Sequence, residues 1–217
     1  WSSDVCSSDL DLDLLNVSDF AGLDLYRNDG AGRFQLATSD WVDESLAFGM
    51  AHTFGDFDGN GSLDFLMIGM NSAVADRLEA LSVWPEESPL DDRFRSRMAF
   101  GNRLYSRRGN RFELGPMGPS GARSGWSWGV GSLDFDNDGD LDILSGGLFG
   151  DFYYYQNVGT TTAPNFANGV KDTLGLNRIV GTTNSTKNLI CPSFADMDND
   201  GDLDLISGSR IGDYYYF

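Results

Sequence analysis

Three nine-residue segments share the pattern D-x-D-x-[DN]-G-x-x-D, and their recurrence constrains the fold more than any other feature of the chain. They are Asp56–Asp64, Asp134–Asp142 and Asp196–Asp204, each followed at once by a short apolar run (Phe65–Ile68, Ile143–Leu144, Leu205–Ile206). The tail of a fourth copy, Asp11-Leu12-Asp13-Leu14-Leu15, lies near the start. A repeat of roughly 60 residues with variable insertions points to an array of small units and away from a single active-site fold.

Between the loops a second element recurs. Leu25-Tyr26 to Phe34 and Leu104-Tyr105 to Phe112 each read as two short strands around a glycine turn (Gly30, Gly109). Tyr153 to Phe166 is a divergent version, and Asp213 to Phe217 starts another. Each unit is therefore a strand, an aspartate loop, an apolar strand and an aromatic hairpin. Units of four strands that cannot bury both faces alone build β-propellers. The expected fold is all-β: a propeller fragment of about four four-stranded blades, the outer ones incomplete. Approximate repeats are 11–50, 51–125, 126–185 and 186–217. One helix, Ala73 to Leu81, is expected as an insertion in the second repeat.

The loop pattern is a recipe for a hard cation. Carboxylates or amides at positions 1, 3, 5 and 9 alternate, so a tightly wound loop turns them toward one centre. Glycine at position 6 (Gly61, Gly139, Gly201) admits the positive φ of the sharp turn. The expected ligands are Asp56, Asp58, Asn60 and Asp64; Asp134, Asp136, Asp138 and Asp142; and Asp196, Asp198, Asp200 and Asp204. Position 7 (Ser62, Asp140, Asp202) adds a backbone carbonyl. Oxygen-only ligands in numbers near seven select Ca²⁺ over zinc or copper, and magnesium prefers to keep its waters. About three calcium ions are expected. An EF-hand is excluded, because its position-12 glutamate is replaced by Met67, Ser145 and Ser207 and a strand, not a helix, leaves the loop. With three carboxylates against four elsewhere, Asp56–Asp64 should be the weakest site.

These loops resemble those of FG-GAP/VCBS repeat proteins, whose integrin-α-like β-propellers bind Ca²⁺ at this position. Ser124-Gly125-Trp126-Ser127-Trp128-Gly129 is similar to the strand that leads into such a loop. Gly101-Asn102-Arg103-Leu104-Tyr105 and Tyr155 to Phe166 are similar to the family's hairpins. Phe48-Gly49 stands for the Phe-Gly of the name, but no Gly-Ala-Pro follows any loop, so the VCBS-type variant fits better. The resemblance covers residues 11–217 and implies a secreted or surface-exposed bacterial protein, part of a seven-bladed parent.

The first ten residues, Trp1 to Leu10, resemble the translated end of a short-read sequencing adapter and are expected to be an assembly artefact. Such a junction would have removed the front of the first loop. Ending inside an aromatic strand pattern, Asp213–Phe217 suggests a fragment.

Other chemistry is sparse. A net charge of −18 argues against nucleic acid as a partner, and no apolar run suits membrane insertion. His52 and Cys191 fall on framework positions of the repeat, matched by Val130 and Pro192 or by Ala51 and Gly129, and lack partners for catalysis. No catalytic or cofactor-binding residue is therefore expected, and the chain reads as no enzyme. Trp126 and Trp128, two apart, would share a strand face and pack between blades, or stack on a sugar. Arg93, Arg95, Arg97, Arg103, Arg107, Arg108 and Arg111 read as a solvated basic insertion. Two functions fit: a calcium-rigidified scaffold for adhesion to an unidentified protein, or a glycan-binding propeller attached to a polysaccharide-active enzyme.

Overall fold

A computed structural model describes residues 2–6, 12–81, 83, 95–176, 189–210 and 212–217, with side-chain detail for most of them. Four antiparallel meanders follow one another along the chain. The first holds β1 (Ser2–Cys6), β2 (Leu12–Ser18), β3 (Gly22–Asn28) and β4 (Phe34–Leu36). The second holds β5 (Gly49–Gly55), β6 (Asp64–Gly69), β7 (Arg103–Arg108) and β8 (Arg111–Leu114). The third holds β9 (Ser127–Leu133), β10 (Asp142–Gly147), β11 (Phe152–Tyr155) and β12 (Val170–Lys171), and the last β13 (Ile190–Ala195), β14 (Asp204–Ser209) and β15 (Tyr214–Tyr216). The fold is all-β, an open run of propeller-like sheets that does not close. Ser2–Cys6, part of the adapter-like segment, pairs along β2 from Ser2 opposite Asn16 to Cys6 opposite Leu12. Main-chain pairing of this kind is open to any proline-free sequence.

Strand periodicity explains the stacking. Successive side chains point to opposite faces, so a strand buried on both sides reads as an unbroken apolar run. Phe65 and Met67 of β6 join Leu15, Leu25, Trp41 and Phe112 in a core between the first two sheets. Leu66 and Ile68 point the other way, to Val130, Ile143, Tyr155 and Phe166 of the third. Leu144 of β10 then meets Phe152, Ile190 and Leu205 in the last core. Phe65 stacks on Tyr105 with ring centres 4.5 Å apart and takes the edge of Phe112 at 5.0 Å. Burying each such ring stabilises the fold by about 1.5–3 kcal/mol.

The first strands of neighbouring sheets approach closely. Thr53 and Ser132 hydroxyls meet at 3.1 Å between β5 and β9. Between β9 and β13 the backbones come nearer still, since a Cβ on Gly129 would sit 2.3 Å from the Cys191 Cα. Only glycine fits there.

Helices are few and short. α1 (Thr38–Trp41), α3 (Arg95–Met98) and α4 (Gly118–Gly121) are single turns between strands. The expected insertion helix is α2 (Ala73–Ala80). Among the described residues no helix is long and apolar enough to cross a membrane.

Two expectations change. Trp126 precedes β9 and is 56% exposed, so it does not pack between sheets; Trp128, inside the strand, is half-buried. The side chains of Arg97, Arg108 and Arg111 are partly exposed, yet each pairs with a carboxylate of this chain, which sequence reading did not expect. Arg97 pairs with Glu44 at 2.8 Å, Arg111 with Asp43 at 2.5 Å and Arg108 with Asp58 at 2.6 Å. Buried Arg103 bonds the Arg97 carbonyl and lies over Phe100. Spacing in the sequence could not show this, because the partners come from α1 and its surroundings and from the loop before β6. Arg93 lies outside the described residues.

Candidate metal sites

Each complete aspartate loop joins the first two strands of its sheet, so β5–β6, β9–β10 and β13–β14 carry the loops at one end of the array. Their internal wiring repeats. The position-1 carboxylate accepts two loop amides: Asp56 from Asn60 (3.0 Å) and Gly61 (2.8 Å), Asp134 from Asp138 (3.1 Å) and Gly139 (3.0 Å), Asp196 from Asp200 and Gly201 (3.2 Å each). The position-5 side chain accepts the position-7 amide, as Asn60 does from Ser62 at 2.8 Å, Asp138 from Asp140 at 3.0 Å and Asp200 from Asp202 at 2.9 Å. Position 6 is left-handed in all three (Gly61, Gly139, Gly201), as the turn requires. Position 4 is left-handed too, at Gly59, Asn137 and Asn199. The sequence signal was present but unread: glycine and asparagine are the residues that tolerate that region.

The position-9 aspartate does a different job from the others. Asp64 is fully buried; its Oδ2 accepts the Phe57 amide at 3.0 Å and its Oδ1 the Arg107 amide at 2.6 Å. Asp142 does the same with Phe135 (3.3 Å) and Asn157 (2.7 Å), and Asp13, also buried, accepts from Asn28 at 2.9 Å. The carboxylate thus ties its own loop to the third strand of the sheet. Tyr154 and Tyr216 add hydroxyl donors to Asp142 and Asp204, each at 2.8 Å. Strand register places these two tyrosines at one repeat position, opposite Leu144 and Ile206, where Leu104 stands opposite Leu66. Asp11 lies outside the described residues.

The loops gather carboxylates as a cation site would. Oxygens of Asp56, Asp58 and Asp64 lie within 4.8 Å of one another, as do those of Asp134, Asp136 and Asp138, and of Asp196, Asp198 and Asp204. Three of the expected aspartates converge in each loop. Asp142 in the third and Asp200 in the fourth stay outside the cluster, held by the bonds just described. Asn60 accepts the Ser62 amide, and Ser62, Asp140 and Asp202 contribute backbone to the turn.

Burial, and behind it the gathered charge, raises carboxylates of the second and third loops. Burial first, then the neighbouring Asp58 and Asp56, raises Asp64 to about 6 against its two backbone donors. Asp140 is also raised, by burial and then by Asp138, Asp134 and Asp136. Asp58 is 4% exposed; its Oδ2 is met by Arg108 at 2.6 Å, but its Oδ1 has no hydrogen-bond partner among the described residues. A buried carboxylate is costly unless cations and donors meet its oxygens, and one guanidinium leaves half of this one unanswered. The donor set is all oxygen, so the residues present fit calcium.

His52 lies on β5 and Cys191 on β13. Burial lowers His52 to about 4, and its ring meets the edge of Phe54 at 5.3 Å, as expected for a packing residue. Cys191 is a free thiol on β13, set against the third sheet at Gly129.

Stacked four-strand meanders with an aspartate loop at one recurrent corner define a class of β-repeat protein. Comparison with known families matches residues 7–67 and 134–207 to the FG-GAP-like repeat, more than half of the chain and all three complete loops. The chain belongs to the FG-GAP-like repeat family. No curated protein matches it.

Proposed function

We propose that this chain is a calcium-rigidified repeat scaffold for adhesion or protein interaction, working outside the cell. One observation carries the reading: three carboxylates converge within 4.8 Å at the same corner of three successive sheets. Such convergence is costly without a cation, since unit charges about 4 Å apart repel even at the higher effective dielectric of a protein surface. Asp56, Asp58 and Asp64, Asp134, Asp136 and Asp138, and Asp196, Asp198 and Asp204 would hold the ions, whose work is structural. Extracellular modules of this kind bind calcium with dissociation constants of about 10⁻⁴ to 10⁻³ M, matched to the fluid outside cells.

Calorimetric titration tests this directly. Three sites are expected, the Asp56–Asp64 loop weakest, because it offers fewer carboxylates. Equal affinities at all three would refute the ranking, and no heat at millimolar calcium would refute the function.

A specific groove favours the second reading, a glycan-binding propeller. At the end of the third sheet away from its aspartate loop, Ser124, Trp126, Phe149, Asp151 and Tyr153 line a groove of about 380 Å³. Trp126 and Phe149 are about half exposed, while Asp151 is buried and paired with Lys171 at 2.9 Å. Exposed aromatic faces beside fixed polar groups suit sugar rings. If this reading holds, Trp126→Ala abolishes binding on a glycan array; calcium-dependent capture of a protein with no glycan signal favours the first.

A further inference from the structure

The second loop differs from the others in a contact its pattern does not announce. Arg108, the last residue of β7, brings Nη2 to 2.6 Å from Asp58 Oδ2. Asp58 is position 3 of the loop and is 4% exposed; Arg108 is the partner of its Oδ2, and its Oδ1 has no hydrogen-bond partner among the described residues. At the same position in the third loop the contact is neutral: the Gln156 amide donates to Asp136 Oδ2 at 2.6 Å. In the fourth, Asp198 accepts the Asp200 amide at 3.2 Å. Register explains the difference. Arg107 and Asn157 both give their backbone amides to the position-9 aspartate, so the third sheet carries Val158 where the second carries Arg108. Of the ion pairs among the described residues, this one alone reaches a ligand of the three complete loops.

We propose that the Arg108 guanidinium is the resident counter-cation of the second loop, answering the Asp58 charge and competing with calcium for it. The inference rests on the calcium reading above. A guanidinium stays protonated at any physiological pH, so it is a permanent rival for the carboxylate. A dication arriving at Asp58 meets that positive charge and must displace it. Displacement is feasible because the Arg108 side chain is 46% exposed and can swing into water, whereas Asp58 cannot follow. Calcium in and Arg108 out is thus a single exchange. Its consequence is an order of loading: the third and fourth loops fill first, and the second keeps its shape in between on its own arginine.

The position-6 glycine amides of Gly61, Gly139 and Gly201 report the three loops separately in an amide NMR titration with calcium chloride. Arg108→Gln should move the Gly61 transition to calcium concentrations about tenfold lower or more, leaving those of Gly139 and Gly201 in place. Arg108→Lys, which keeps the charge, should move it much less. In the unaltered protein the Arg108 side-chain Nε resonance should shift in step with Gly61, a readout that needs no variant. A Gly61 transition in Arg108→Gln that is unmoved, or displaced to higher calcium, overturns the proposal. So does a Gly61 that responds in neither protein while Gly139 and Gly201 titrate, which leaves calcium at the other loops intact. Silence at all three glycines removes the calcium reading and the proposal with it.

Discussion

Withdrawing calcium at pH 7.5 is expected to lower the thermal midpoint by about 10–20 °C relative to protein in 10 mM calcium. At roughly one hundred times its dissociation constant a bound ion stabilises the native state by about 2.7 kcal/mol, and the third and fourth loops should both be filled. For a chain of this length each kcal/mol moves the midpoint by about 2–4 °C. The sign of the pH dependence gives a sharper test. Asp64, raised by burial from 3.8 to about 6, is held in the fold more readily as the neutral acid. Without ions, its contribution is therefore fully present below pH 3.8 and lost as pH rises through about 6. Asp142 is raised as well, first by burial, and acts in the same direction. Calcium reverses the slope, because the aspartates of a filled loop must give up their protons to bind, so the loaded protein should weaken on acidification. Differential scanning calorimetry at pH 5 and pH 7.5, with calcium and with chelator, should show slopes of opposite sign. Parallel slopes in the two states would sink the account.

The second large effect belongs to Asp142→Ala. This fully buried carboxylate accepts the Asn157 amide at 2.7 Å, the Tyr154 hydroxyl at 2.8 Å and the Phe135 amide at 3.3 Å. Truncation strands three donors in the body of the third sheet and leaves a void. Breaking a buried charged network in this way costs about 3–5 kcal/mol. Tyr154→Phe removes one donor and leaves the carboxylate paired, so about 1 kcal/mol is expected. Urea unfolding in chelator separates this role from ion binding, because the loss should persist without calcium. A variant within about 1 kcal/mol of the parent under those conditions would show that the latch contributes little.

What could be read from the sequence follows from what sequence encodes. The position-6 glycines and alternating aspartates had to be side-chain choices, since a left-handed turn and a ring of oxygens cannot be made otherwise. The apolar run Phe65 to Ile68 likewise announced a strand, while the burial of both its faces became visible only with the neighbouring sheets in place. The position-9 latch stayed hidden because its partners at Asn28, Arg107 and Asn157 are backbone amides, which every residue but proline possesses. Tyr154 and Tyr216 were visible as an aromatic recurrence, yet only strand register shows that both point a hydroxyl at an aspartate. Trp126 misled because two residues of separation imply a shared face only inside a strand, and β9 begins one residue later. Arg108 read as part of a basic cluster, whereas its partner lies fifty residues earlier, brought near by the pairing of β6 with β7, which no local pattern reports.

The alternation along β6 also changes how a repeat should be counted. Adjacent residues there serve different cores, Phe65 and Met67 on one side and Leu66 and Ile68 on the other. No sheet owns its interior. The period written in the sequence and the unit that buries a core are therefore out of phase by half a sheet. A cut made at a sequence boundary leaves a naked face on each piece, while the smallest autonomous portion is a facing pair of half-sheets, with solvent-tolerant residues needed only where the stack ends.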